Sequence, residues 1–210
     1  MGRLKLNEAE KIIRHGRPAT QMPGFSAETL NDAEIKALAA YVFTPLLETP
    51  RWGVEEMAAT RIVHVDPDTL PAAPQHKADP MNLFTVVEAG DHHVSIVDGD
   101  KFEVLARFQS RFALHGGAKY SPDGRFVYLA SRDGWISKYD LHSLQMVAEI
   151  RVGVNTRNVA VSSDGKHLMA GNMLPHTLVA LDARDLKPIK VIPVVGRDGV
   201  SSRVSAVYAM

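Results

Sequence analysis

Apolar and polar positions over the first forty residues follow a helical period. In the clearest run, residues 31–42, Ile35, Leu38 and Val42 fall at i, i+3 and i+7 and share one apolar face. Asn31 is the expected N-cap, with Glu34 three residues on, and Pro45 the expected stop. A shorter helical piece covers residues 8–14. The prolines and glycines of residues 16–25 forbid regular structure and place Met22 on a loop. Residues 49–80 turn Pro- and Ala-rich and read as a linker with at most a short strand at 61–65.

Beyond residue 80 the period becomes strand-like. Short β-branched and aromatic runs at 84–88, 94–98, 126–130, 135–140, 178–182 and 190–194 are separated by Gly, Asp and Asn turns. They repeat: Phe84 and Phe126 stand 42 residues apart, as do Asp98, Asp140 and Asp182 at the ends of matching strands. Ser121-Pro122-Asp123-Gly124 recurs 41 residues on as Ser162-Ser163-Asp164-Gly165. A period near 42 with four short strands per unit marks a β-propeller: an inner strand, an Asp-Gly turn, two more strands, an aspartate and an outermost strand. Residues 81–210 supply about three units, whereas closed propellers typically need about four to eight. The expectation is a piece of a longer protein, cut at its C-terminus and at its N-terminus.

Composition narrows the chemistry. The 210 residues carry 24 basic and 24 acidic side chains, so no basic field favours nucleic acid or a membrane surface. No cysteine is present, which excludes disulfides, thiolate ligands and covalent C-x-x-C-H haem attachment within this chain. No run approaches the roughly 18 apolar residues of a spanning helix, so no membrane insertion is expected.

The Asp-Gly turns set the phase of the channel-lining strands. His115 lies eight residues before Asp123, Arg157 seven before Asp164, and Arg203 in the matching place of the following unit, with Lys119 one step deeper than His115. Gly116-Gly117 removes side chains beside the imidazole and lets a flat group approach the backbone. One neutral nitrogen donor amid cations suited to carboxylates fits an anionic metal macrocycle. A histidine that only anchors a turn, with arginines satisfying carbonyls between blades, is the structural alternative.

Residues 114–141, from Leu114-His115-Gly-Gly-Ala-Lys119 through Ser131-Arg132 to Asp140-Leu141, resemble the haem d1 propeller of the cytochrome cd1 nitrite reductase family. Asn155-Thr-Arg157-Asn and Gly171-Asn-Met-Leu-Pro extend that likeness. The resemblance implies His115 as ligand to haem d1 iron, Lys119 and Arg157 facing the macrocycle and its carboxylates, and Arg132 and Arg203 in similar contexts. Residues 17–41 resemble the latter half of a class I cytochrome c, which implies Met22 as axial ligand of a haem c whose attachment site lies elsewhere. The implied organisation is a partial cytochrome c domain (1–48), a linker (49–80) and a mainly β, partial eight-bladed propeller (81–210).

The family's reductases carry a distal histidine just before the position of Arg203, where this chain reads Gly196-Arg-Asp-Gly-Val-Ser-Ser202. That departure implies the biosynthetic branch, which dehydrogenates dihydro-haem d1, over nitrite reduction; a non-catalytic interaction scaffold is the third reading. The resemblance further implies a tetrapyrrole ligand, an electron-transfer partner that is a cytochrome or nitrite reductase, a homodimer in the full-length form, a periplasmic location, and little activity for this stretch alone.

Overall fold

The computed structural model describes residues 5–18, 22–45, 47–48 and 51–209. Thr20, Gln21, Thr49, Pro50 and Met210 lie outside the described residues. The chain divides into two compact units, residues 1–49 and 50–210. Among the described residues no helix is long and apolar enough to cross a membrane.

The first unit holds α1 (Leu6–His15) and α2 (Asp32–Phe43). The Asn31 side chain accepts the Glu34 N–H at 3.0 Å and the Glu34 carboxylate accepts the Asn31 N–H at 2.8 Å, closing the capping box. Ile35 and Ala39 form the buried stripe, whereas Leu38 and Val42 are 41% and 69% exposed. The apolar face drawn through Ile35, Leu38 and Val42 is thus rotated, because α1 lies against α2 and a single helix covers only a narrow i, i+4 stripe. Arg14 fastens the loop between the helices: its guanidinium donates to the carbonyls of Phe25 (2.9 Å) and Leu30 (2.8 Å) and to Asp32 (2.6 Å).

The second unit is mainly β. It opens with α3 (Val54–Thr60) and β1 (Ile62–Val63), then runs through β2 (Leu83–Glu88), β3 (His93–Asp98), β4 (Glu103–Gln109), β5 (Lys119–Tyr120), β6 (Phe126–Ala130), β7 (Trp135–Asp140), β8 (Gln145–Arg151), β9 (Asn155–Val161), β10 (His167–Leu174), β11 (Thr177–Asp182) and β12 (Pro188–Pro193). Three antiparallel sheets result: β2-β3-β4, β5-β6-β7-β8 extended by β1, and β9-β10-β11-β12. The second and third have the expected strand order, with Ser121–Gly124 and Ser162–Gly165 as matching turns. In each turn the serine hydroxyl donates to the aspartate and accepts the N–H five residues on. The repeating Asp98, Asp140 and Asp182 are structural, each accepting backbone N–H groups of the turn that follows its strand.

The sheets pack face to face. Val94 and Ile96 meet Val127, Leu129, Tyr139 and Leu141 at the first seam. Ile136, Val147, Ile150, Val159, Leu168 and Leu181 belong to the core that joins the second sheet to the third. Each such side chain contributes about 1.5–3 kcal/mol on burial. Residues 51–80, expected as a linker, are instead a strap on this core. Met57 of α3 is fully buried in the second seam, and Ile62 and Val63 pair with Glu149 and Ala148 of β8. Trp52 donates to the Arg151 carbonyl at 2.9 Å. Its proline content had masked a seven-residue helix with one large apolar residue.

Buried charges are matched. Burial pushes the Glu149 carboxyl up, but Arg111 (2.8 and 2.7 Å), Ser137 (2.9 Å) and His64 (3.1 Å) outweigh it and hold the group below the usual carboxylate range. Lys138 donates to the carbonyls of Ala183 (2.9 Å) and Arg184 (2.8 Å) across the second seam and lies 3.8 Å from the Phe126 ring centroid. Burial pushes its ammonium down to about 8 against the pull of Asp140.

Two outcomes follow. A folded-state pKa below the unfolded 10.5 means that Lys138 adds stability as pH rises from about 8. Burial raises Tyr128 and lifts Tyr139 to about 12, so above about pH 10 these tyrosines oppose the gain. Urea denaturation should show stability rising between about pH 8 and 10, and Lys138→Met should flatten the rise. Gly134 has φ +98°, and a Cβ there would overlap the Gly153 carbonyl oxygen. Gly134→Ala should therefore cost at least about 2 kcal/mol in the same measurement.

Candidate functional site

His115 sits where the chain turns into β5. Leu114 bridges Ser131, and the His115 N–H donates to the Ala130 carbonyl at 2.8 Å, so the residue is tied to the end of β6. Its ring Nδ1 lies 3.2 Å from the Arg157 carbonyl oxygen on β9 of the next sheet. A carbonyl only accepts, so Nδ1 carries the hydrogen and Nε2 keeps its lone pair. That tautomer leaves Nε2 open to a metal, and it is set by the hydrogen bond at the other ring nitrogen.

The electrostatics agree. Burial pushes the imidazole pKa below its ordinary value, the bond to the Arg157 carbonyl pulls the other way, and the charges of Arg157 and Arg132 push it down further. The ring is thus held neutral beside two guanidinium groups. Arg132 is exposed on the tight β6–β7 turn, its N–H donating to Ala113 at 3.1 Å. That turn is fixed by Ser131 to Asp133 (2.5 Å) and by Arg151 to the Asp133 carbonyl (2.8 Å).

Beside the ring lies a cavity of about 270 Å³ lined by Val87, Leu114, His115, Gly116, Gly117, Leu129 and Ala130. Gly116 and Gly117 both have positive φ, and nothing lies within 4 Å of where a Cβ of Gly117 would stand. The wall is apolar and supplied by two sheets, and the charges of Arg157 and Arg132 act on the imidazole that forms part of it. Apolar lining with a single nitrogen donor under the influence of two guanidinium charges suits a flat, hydrophobic, carboxylate-bearing metal macrocycle.

The other expected positions lie differently. Lys119 is half-buried on β5 opposite Tyr128, and Arg203 is exposed between two backbone anchors, Ser202 N–H to Val194 O (2.9 Å) and Val204 N–H to Asn172 O (3.0 Å). Neither is among the charges that bear on the imidazole. Met22 is 38% exposed and belongs to the first unit, its carbonyl accepting the Arg17 N–H at 3.0 Å. Sequence reasoning missed Val87 and Leu129, whose apolar side chains carry no local signal that separates a lining residue from a core one. A second cavity, of about 710 Å³, lies at the opposite end of the second seam around Lys138, Asp123, Asp164 and Arg184. Its charges compensate one another, and among the described residues no group of three or more metal-binding side chains forms there or elsewhere.

The second unit is a domain of repeated antiparallel sheets, and residues 78–210 match the family model described as "Cytochrome D1 heme domain". The chain belongs to that family. It is 55% identical over 208 residues to the "Dihydro-heme d1 dehydrogenase" of Pseudomonas aeruginosa, covering 99% of this chain and 42% of that protein. It is 28% identical over 177 residues to the "Nitrite reductase" of Stutzerimonas stutzeri, covering 81% of this chain and 31% of that one. A solved structure, "Dihydro-heme d1 dehydrogenase NirN in complex with DHE", superposes with a TM-score of 0.88 at 56% identity over 99% of this chain and 44% of that chain. The chain therefore spans less than half the length of these relatives.

The site yields a titration test. His115 should titrate below the ordinary imidazole value of 6.5 in an NMR pH series, and Arg157→Gln, which removes a neighbouring positive charge, should move it upward.

Proposed function

We propose that this chain is part of a haem d1-binding oxidoreductase of the denitrification pathway that dehydrogenates dihydro-haem d1, in the last step of haem d1 formation. The observation that carries this reading is the neutral His115, its Nε2 lone pair left available by the Arg157 carbonyl, beside a small apolar cavity and under the charges of Arg157 and Arg132. The 55% identity to the dehydrogenase, against 28% to the nitrite reductase, favours the biosynthetic reaction over nitrite reduction. The absence of a histidine from residues 196–202, just before Arg203, favours it too.

In this reading His115 ligates the iron through Nε2, Gly116 and Gly117 let the ring plane approach the backbone, and Val87 and Leu129 exclude water beside it. Arg157 and Arg132 pair with the macrocycle's carboxylates and orient it, with Lys119 and Arg203 as further cations. The bound tetrapyrrole would supply the redox chemistry, its two protons passing to solvent. The first unit would be the latter half of a class I cytochrome c domain, Met22 would help hold a haem c, and that group would take the two electrons one at a time and pass each to an electron partner. The exposed Leu38, Tyr41, Val42 and Phe43 give that unit apolar surface of the kind such a haem covers. The electron partner is a cytochrome or nitrite reductase, the location periplasmic and the full-length form a homodimer.

Titration of the full-length protein with haem d1 or dihydro-haem d1 should give saturable uptake with a shifted visible spectrum. His115→Ala should change that spectrum and weaken binding. Unaltered spectrum and affinity in the variant would refute the ligand role, and absence of uptake by the parent protein would favour a non-catalytic scaffold.

A further inference from the structure

The Arg157 carbonyl reaches His115 because the ladder between β9 and β10 breaks there. Gly171 stands opposite Asn158 and Asn172 opposite Thr156, leaving Arg157 with no partner on β10. A residue left over in this way is a bulge, and its peptide can turn out of the sheet. We propose that Asn158 is a positioning residue for His115: its side chain holds the β9 bulge that presents the Arg157 carbonyl to the imidazole.

Asn158 is 7% exposed, and both its side-chain oxygen and its side-chain nitrogen are hydrogen-bonded. Oδ1 accepts the Val159 N–H at 2.9 Å, and Nδ2 donates to the Val207 carbonyl at 3.3 Å. The same Oδ1 packs on Gly116, where a Cβ would come within 2.7 Å of it. One short side chain thus touches the bulged strand, the segment beyond β12 and the residue next to the histidine. Only an amide offers an acceptor and a donor at that length; Asp keeps the acceptor, and Ala keeps neither. On the other side of the bulge Thr156 donates to Asn172 (2.6 Å), which donates to Val152 (2.7 Å) and Thr177 (3.0 Å). That knot is buried but does not touch His115, and serves as the structural control.

The proposal rests on the haem d1 reading only for what His115 binds; the hydrogen bond itself is a property of the protein without ligand. Long-range 1H–15N NMR of the imidazole reads the tautomer in the full-length, ligand-free protein. The parent should show Nδ1 protonated and Nε2 bare. Asn158→Ala should lose that pattern, Asn158→Asp should keep it, and Thr177→Val should keep it while lowering the melting temperature. Affinity for haem d1 should fall roughly 10- to 100-fold in Asn158→Ala, as for the loss of an outer-shell partner of a metal-binding histidine.

Unchanged ring signals in a folded Asn158→Ala protein would overturn the proposal. So would a parent protein with Nε2 protonated, or a folded Asn158→Asp protein that loses the Nδ1 hydrogen; these two decide the matter even if the alanine variant does not fold. A parent with the expected tautomer that takes up no haem d1 would sink the functional reading alone and leave the positioning role standing.

Discussion

The site depends on one hydrogen bond between two sheets, from His115 Nδ1 to the carbonyl of Arg157. It selects the tautomer, orients the ring and ties the turn before β5 to β9. The face-to-face packing of the second and third sheets brings those two groups within 3.2 Å, so the core of valines, leucines and isoleucines at the seam also sets the orientation of the imidazole. A group held across a seam inherits the stiffness of a close-packed interior, which one on a single loop would lack.

The repeat was the most legible part of the fold. Strand-end aspartates and Ser-x-Asp-Gly turns stand at fixed intervals because each closes a turn with its own side chain, a local chemistry that sequence displays directly. β6 and β7 were read at their observed bounds. β4 and β8 are legible only as the outermost strands that the repeat requires after Asp98 and Asp140, since Gln145-Met-Val-Ala-Glu-Ile-Arg151 is composed largely of good helix formers and becomes a strand by pairing with β7. In the strap the short strand expected at 61–65 is present as β1, but the helix and its docking have no local signature, because they depend on one methionine inserted into a distant core.

The site was legible in residue type more than in geometry. The glycine pair beside His115 and the arginine seven residues before Asp164 name residues that the fold brings together across the second seam. Register alone could not show that Arg157 contributes its carbonyl as well as its charge, because that follows from a bulge. Nor did it separate Arg132, which bears on the imidazole, from Lys119 and Arg203, which do not. Two cavities of the second unit make a related point: one of about 710 Å³ is lined by equal numbers of acidic and basic side chains, and one of about 270 Å³ holds the lone pair of His115.

The strap also bears on where this polypeptide can be divided. A boundary drawn at residue 80, where hydropathy changes character, would remove Met57 from the seam, strip β1 from the outer edge of β8 and take Trp52 from Arg151. The guanidinium of Arg151 also braces the turn that bears Arg132. Shortened versions therefore belong on a starting point ahead of Trp52, since trimming closer would loosen the residue that braces the turn beside His115.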